Sequence, residues 1–188
     1  MMTGRPGGRG FRSDESRVGG RMMRLGLAGV IVAALLNSAC GRAAAAPLEH
    51  TFSSPSDLAR AVLAGIAGND RAALEALALS EREFRERVWP DLPASRPERN
   101  LPLDYVWGDL RQKSLGHLRQ TLAQHGGRRY TLLGIEFVGE TTSYPTFEVS
   151  RKAELRVRDD AGREQSIRLF GSVLRSGSEY KVFSFVVD

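Results

Sequence analysis

Phe147-Glu148-Val149-Ser150-Arg151-Lys152-Ala153-Glu154-Leu155-Arg156-Val157-Arg158 decides the fold. Phe147, Val149, Ala153, Leu155 and Val157 fall on alternate positions, with Glu148, Ser150, Lys152, Glu154, Arg156 and Arg158 between them. A period of two puts one set on a buried face and the other in water, which predicts a half-buried strand. Asp159-Asp160-Ala161-Gly162 follows as a hairpin turn. Ile167 to Leu174 reads as another strand, Ser176-Gly177-Ser178 as a turn, and Tyr180 to Val187 as a last strand. Upstream, Tyr130–Val138 is strand-like and apolar on both sides, so it is expected at the centre. Four strands joined by short turns predict an antiparallel meander.

Before Tyr130 the period is helical. Ser54-Pro55-Ser56-Asp57 combines a cap, a first-turn proline and an acid suited to a helix N-terminus. Leu58, Val62 and Ile66 repeat at four, and Gly68-Asn69 ends that helix. Asp70 caps a second helix with Leu74 and Leu77. Ser80-Glu81-Arg82-Glu83 is a capping box for a short third turn carrying Phe84 and Val88. Glu81–Arg85, Arg82–Glu86 and Glu83–Arg87 have ion-pair spacing on a solvated face. Pro90, Pro93, Pro97 and Pro102 then predict a long loop. Asp104 is the expected cap of a helix from Tyr105 to His125. Its stripe is Leu110, Leu118 and Leu122 with Val106 or Trp107, and Gly126-Gly127 closes it.

This order predicts an α+β domain over residues 54–188: N-terminal helices packed on a curved four-stranded antiparallel sheet. It resembles the nuclear transport factor 2-like and cystatin-like superfamilies, in which helices rest in a strongly curved sheet. The resemblance covers about residues 55–188 and is one of element order. It implies either a ligand or partner module or an acid–base enzyme of the ketosteroid isomerase or polyketide cyclase type. Members often place a strand pair before the long helix. The proline stretch stands there in this chain, so a cystatin-like variant stays open.

Acid–base chemistry of that type needs a carboxylate in an apolar pocket. Asp109 and Glu136 are the two carboxylates to test. Tyr105 and Trp107, with Asp109, form an aromatic and acidic cluster at the start of the long helix. Arg151 interrupts the apolar row of its strand. A charge there is costly unless it reaches an opening or the strand breaks. Tyr105, Trp107, Asp109 and Arg151 are therefore the candidate ligand-binding residues, with core packing the alternative role for both aromatics. No catalytic residue is singled out and no cofactor is implied. His117 and His125, if on one helix, lie roughly 12 Å and 80° apart, too far for one metal. Ser178-Glu179-Tyr180-Lys181 matches SxxK but sits on a turn entering a strand, without the partner motifs of the penicillin-interacting enzymes.

The remaining 53 positions before this domain read as an address. Leu25 to Leu36 carries no charge but would span roughly 18 Å as a helix, short of the ~30 Å bilayer core. Arg21 and Arg24 precede it, and Ser38-Ala39 and the only cysteine, Cys40, follow. Residues 22–40 resemble the bacterial lipoprotein signal, with Asn37 where that family prefers an aliphatic residue. The resemblance implies cleavage before Cys40, lipidation of its sulfur, and export to the cell envelope. Because Gly41 follows rather than Asp, it implies the outer membrane in a diderm host. Residues 22–39 are then the signal peptide and 40–53 a lipidated tether. Residues 1–21 are an extension, either disordered or an artefact of start-codon assignment, with Met22 or Met23 the expected start.

The chain has 188 residues and a formal net charge of +5. Arg5, Arg9, Arg12, Arg17, Arg21 and Arg24, set against Asp14 and Glu15, place +4 of it in residues 1–24. The folded domain is nearly neutral, and nucleic acid is not an expected partner. The expected partners are membrane lipid through Cys40 and a small ligand or an envelope protein. A purely structural envelope protein without a pocket is the third reading.

Overall fold

The computed structural model describes residues 47–187. Ser54 opens α1 (Pro55–Ala67), its hydroxyl accepting from the Asp57 N–H at 3.1 Å. Asp70 opens α2 (Arg71–Leu77) by accepting from the Ala73 N–H at 2.9 Å. Ser80 and Glu83 complete the capping box on α3 (Glu81–Glu83), which runs into a π-helical turn, Phe84–Val88. Phe84 and Val88 are both buried. The proline stretch is not one open loop: it winds through three 3₁₀ turns, Trp89–Asp91, Pro93–Ser95 and Pro97–Arg99, each with a proline at its start. Proline's fixed φ suits that position.

The long helix α4 (Leu103–His125) begins two residues earlier than its acidic signal suggests. Asp104 is not its cap. It lies in the first turn, where a negative charge favours the helix dipole, and pairs with Arg85 at 3.0 Å. Gly126 and Gly127 close the helix as expected. Gly127 has φ +79°, and its N–H donates to the Ile66 carbonyl at 2.9 Å.

The sheet differs from a four-stranded meander. Seven strands form two antiparallel sheets: β1 (Tyr130–Phe137), β2 (Thr141–Ser143), β3 (Glu148–Arg151), β4 (Ala153–Asp159), β5 (Glu164–Ile167), β6 (Ser172–Ser176) and β7 (Glu179–Ser184). One sheet has the order β1-β4-β5, the other β2-β3-β6-β7. Two predicted strands each break in the middle. The run from Phe147 to Arg158 breaks at Lys152, whose φ is +54°. The run from Ile167 to Leu174 breaks between β5 and β6, where Gly171 lies against the Val186 carbonyl. Each run therefore passes from one sheet into the other. Hydrogen bonds continue across the seam: the Ala153 N–H donates to Gly171 O at 3.2 Å, and the Gly171 N–H donates to Ser184 O at 3.1 Å. A side chain at 171 would overlap backbone, which is why the seam carries glycine.

Strand β7 is an edge of its sheet, yet it is not bare. Phe52 exchanges two hydrogen bonds with Tyr180, and Leu79 N–H donates to Val182 O at 3.1 Å. Covering an edge in this way removes a template for aggregation.

Two apolar clusters fill the domain. The larger joins Leu58, Val62 and Ile66 of α1 and Leu74 of α2 to Leu155, Val157, Leu169, Phe170 and Phe185. The smaller joins Leu48, Phe84, Val88 and Trp107 to Phe147, Val149 and Leu174. The architecture is α+β, with helices packed on antiparallel sheets.

Candidate ligand-binding site

Helix α4 is held on its sheet partly by hydroxyls. Its buried positions are Trp107, Ser114, Leu118 and Thr121, on one face. Ser114 Oγ accepts from the Phe185 N–H at 3.0 Å, and His117 Nδ1 accepts from the Val187 N–H at 3.3 Å. These bonds satisfy one buried and one partly buried backbone donor just past the end of β7. Leu110, predicted for the stripe, is only half-buried. It stands between two cavities that flank the helix.

One cavity, about 220 Å³, lies towards α2 and α3 and is lined by Leu79, Trp107, Leu110, Ser114 and Phe183, among others. The second, about 340 Å³, lies between α4 and the strands β3, β6 and β7. Its walls include Phe84, Leu92, Val106, Leu110, Val149, Phe183 and Val186. Its polar groups are Asp109 and Lys113 from the helix and Arg151, Ser172 and Ser184 from the sheet. Leu110 and Phe183 belong to both walls. Such a volume falls at the lower end of the range for small-molecule pockets, about 300–1,000 Å³.

The four candidate residues separate here. Asp109 and Arg151, 42 positions apart in sequence, line the same 340 Å³ cavity. Trp107 lies in the wall of the smaller one and packs against Phe84 with the rings tilted, their centroids 5.2 Å apart. It is a core residue, and its indole Nε1 is buried with no hydrogen-bond partner among the described residues. Tyr105 is 67% exposed and lines neither cavity. Its position on α4 turns it towards solvent, so it drops out of the site. Arg151 lies both at a strand break and in the cavity lining. It ends β3 beside the break at Lys152, is exposed, and lines the cavity.

The two carboxylates differ as well. Glu136 is exposed on β1, opposite Glu154 of β4, and borders neither cavity. Asp109 remains 51% exposed and accepts from Lys113 Nζ at 2.7 Å, a bond that holds Lys113 above its ordinary pKa. A general base of the isomerase type needs desolvation to raise its pKa. Among the described residues no group of three or more metal-ligating side chains occurs. His125 Nδ1 lies 3.0 Å from the Tyr130 hydroxyl, and burial, then Arg128, pushes its pKa down.

A buried ion pair escapes the sequence reading. Lys181 and Glu83, with side chains 1% and 6% exposed, lie 3.4 Å apart. Lys181 Nζ also donates to the Glu49 carbonyl at 2.5 Å. Glu83 accepts from the N–H groups of Glu49 and Ser80 and from the Ser80 hydroxyl, each at 2.8 Å. Burial pushes the Glu83 pKa up, but these donors, with Lys181, outweigh it and leave the carboxyl below its usual range. Burial dominates for Lys181 and lowers its pKa against the pull of Glu83. The capping-box signal did mark Glu83. Its burial depends on β7, 98 positions away.

Cys40 and the lipoprotein signal lie outside the described residues. No helix among the described residues is long and apolar enough to cross a membrane. No protein-family profile, no curated protein and no solved structure matches the chain.

Proposed function

We propose that this chain is an exported lipoprotein, held at the cell envelope through acylated Cys40, whose α+β domain binds a small ligand. The binding site is the 340 Å³ cavity between α4 and the strands β3, β6 and β7. One observation carries the binding reading. Asp109 and Arg151 converge from helix and sheet on a cavity whose walls are mostly apolar with a few polar groups, the usual composition of a ligand site. Binding is favoured over acid–base catalysis because Asp109 is ion-paired and half-exposed. The two sheets act as the two wings of one bent sheet. The chain runs shared by them and the hydrogen bonds at Gly171 support that reading, as does the nuclear transport factor 2-like element order.

The anchor follows from the order of basic residues, apolar run, small residues and cysteine. One acyl chain holds a protein only marginally, whereas several hold it firmly. Mass spectrometry of the membrane-extracted protein tests both halves. An N-terminal acylated Cys40 with a co-purifying small molecule is expected. Cys40→Ala moves the protein to the soluble fraction. A mature N-terminus elsewhere overturns the anchor.

A further inference from the structure

The larger cavity is divided along its length. Arg151 pairs in register with Ser172, and Ser172 with Ser184, so these three form one polar row across β3, β6 and β7. All three border the cavity, as do Lys113 and Asp109 on the facing helix. Val149 lies two residues before Arg151 on the same face of β3. Val106 lies one helical turn before Asp109 and two before Lys113. Val149 and Val106, with the buried ring of Phe84, make the other end of the cavity apolar.

The charge of the polar end is as definite as its position. Asp109 is neutralised by Lys113 at 2.7 Å. Arg151 has no ion pair with any described residue, so among the described residues the polar end carries one uncompensated positive charge. Ser184 is buried and accepts from the Val186 N–H at 2.9 Å, which leaves its hydroxyl proton to donate. A guanidinium fork matches the two oxygens of a carboxylate. A single net charge matches a monoanion rather than a phosphate dianion.

We propose that this cavity takes a monoanionic single-chain amphiphile, its carboxylate at Arg151 and its chain against Val106, Val149 and Phe84. The inference rests on the ligand-binding reading above and names the ligand class for that site. Arg151 anchors the head, and the hydrophobic effect seats the chain.

Calorimetric titration of the full chain with decanoate, decanol and decyl phosphate tests it. Decanoate binds at least about tenfold more tightly than decanol, the size of one charge-assisted hydrogen bond. Arg151→Met removes that difference and leaves decanol binding unchanged. Arg151→Lys, which keeps the charge and loses the fork, gives an intermediate preference. Val106→Trp, which fills the apolar end, weakens decanoate and decanol alike. Circular dichroism melting of each variant confirms folding. Equal affinity for decanoate and decanol, a preference for decyl phosphate, or an unaltered preference in Arg151→Met overturns the assignment while the ligand-binding site stands. No binding of any of the three probes to the wild-type chain overturns the ligand-binding site as well.

Discussion

The two apolar clusters are built from the same kinds of side chain and end up different. Around α1, the larger one closes completely: Leu58, Val62, Ile66, Leu155 and Phe170 have no exposed surface. Around the first half of α4, the smaller one leaves two cavities, a π-helical turn and an indole N–H without a partner among the described residues. The cause lies in what each helix offers the sheet. α1 presents an unbroken apolar stripe, whereas α4 buries Trp107, then two hydroxyl residues around a single leucine. Helix α4 is therefore seated by directional hydrogen bonds at Ser114 and His117, and the space on either side of Leu110 is not filled. Dense packing makes the scaffold, and the looser end leaves open volume beside α4.

The largest test of that contrast is Phe170→Ala. Deleting a fully buried ring from the dense cluster costs about 3–5 kcal/mol, read as a lower urea midpoint. The corresponding Val106→Ala, at the wall of the 340 Å³ cavity, costs about 1 kcal/mol or less, because the removed methyls face open space. Equal losses at the two sites would erase the distinction.

Lys181→Met comes next. It leaves Glu83 buried without its counter-charge, and breaking a buried pair costs about 3 kcal/mol. The double variant Glu83→Gln/Lys181→Met recovers part of that loss in a double-mutant cycle. Purely additive losses would show that the two side chains act independently.

The same carboxylate links stability to pH. Its folded pKa lies below the ordinary 4.5. The unfolded chain therefore binds the proton first as pH falls, and the stability contributed above pH 4.5 is lost on passing through the lower folded value. Urea midpoints decline below pH 4.5, and Glu83→Gln makes that decline shallower. An identical acid slope in wild type and variant would remove Glu83 as its source.

Trp107→Phe has the smallest expected effect. The lost ring area is offset by removal of an unpaired buried donor, which costs about 1–3 kcal/mol where it stands. Stability changes by less than about 1 kcal/mol. A loss of several kcal/mol would mean that the indole nitrogen has an acceptor.

Much of the helical layer is readable in the sequence because its signals are local. Ser54, Asp70 and the Ser80–Glu83 box act within three residues of themselves, and each caps the helix it marks. The seam of the sheets is not local. Arg151 is visible as a charge in an apolar row, but the left-handed backbone at Lys152 lies where β3, paired with β6, ends and β4, paired with β1, begins. Splitting one strand into β3 and β4 is a tertiary event. The site divides along the same line. Arg151 stood out because its charge violated a period, and Asp109 because it adjoined aromatics. Tyr105 lies outside both cavities, because aromatic character says nothing about which way a helix turns its residue. The burial of Lys181 is not legible, because a buried lysine looks like any other until its partner is known.

The grip on Glu49 has a mechanical side. Both backbone polar groups of that residue are held by the buried Glu83–Lys181 pair, and three residues later Phe52 is stitched to Tyr180. A pull arriving along the chain from its N-terminal side is delivered to α3 and β7 together, before it reaches α1. Several bonds must then yield at once instead of opening one after another.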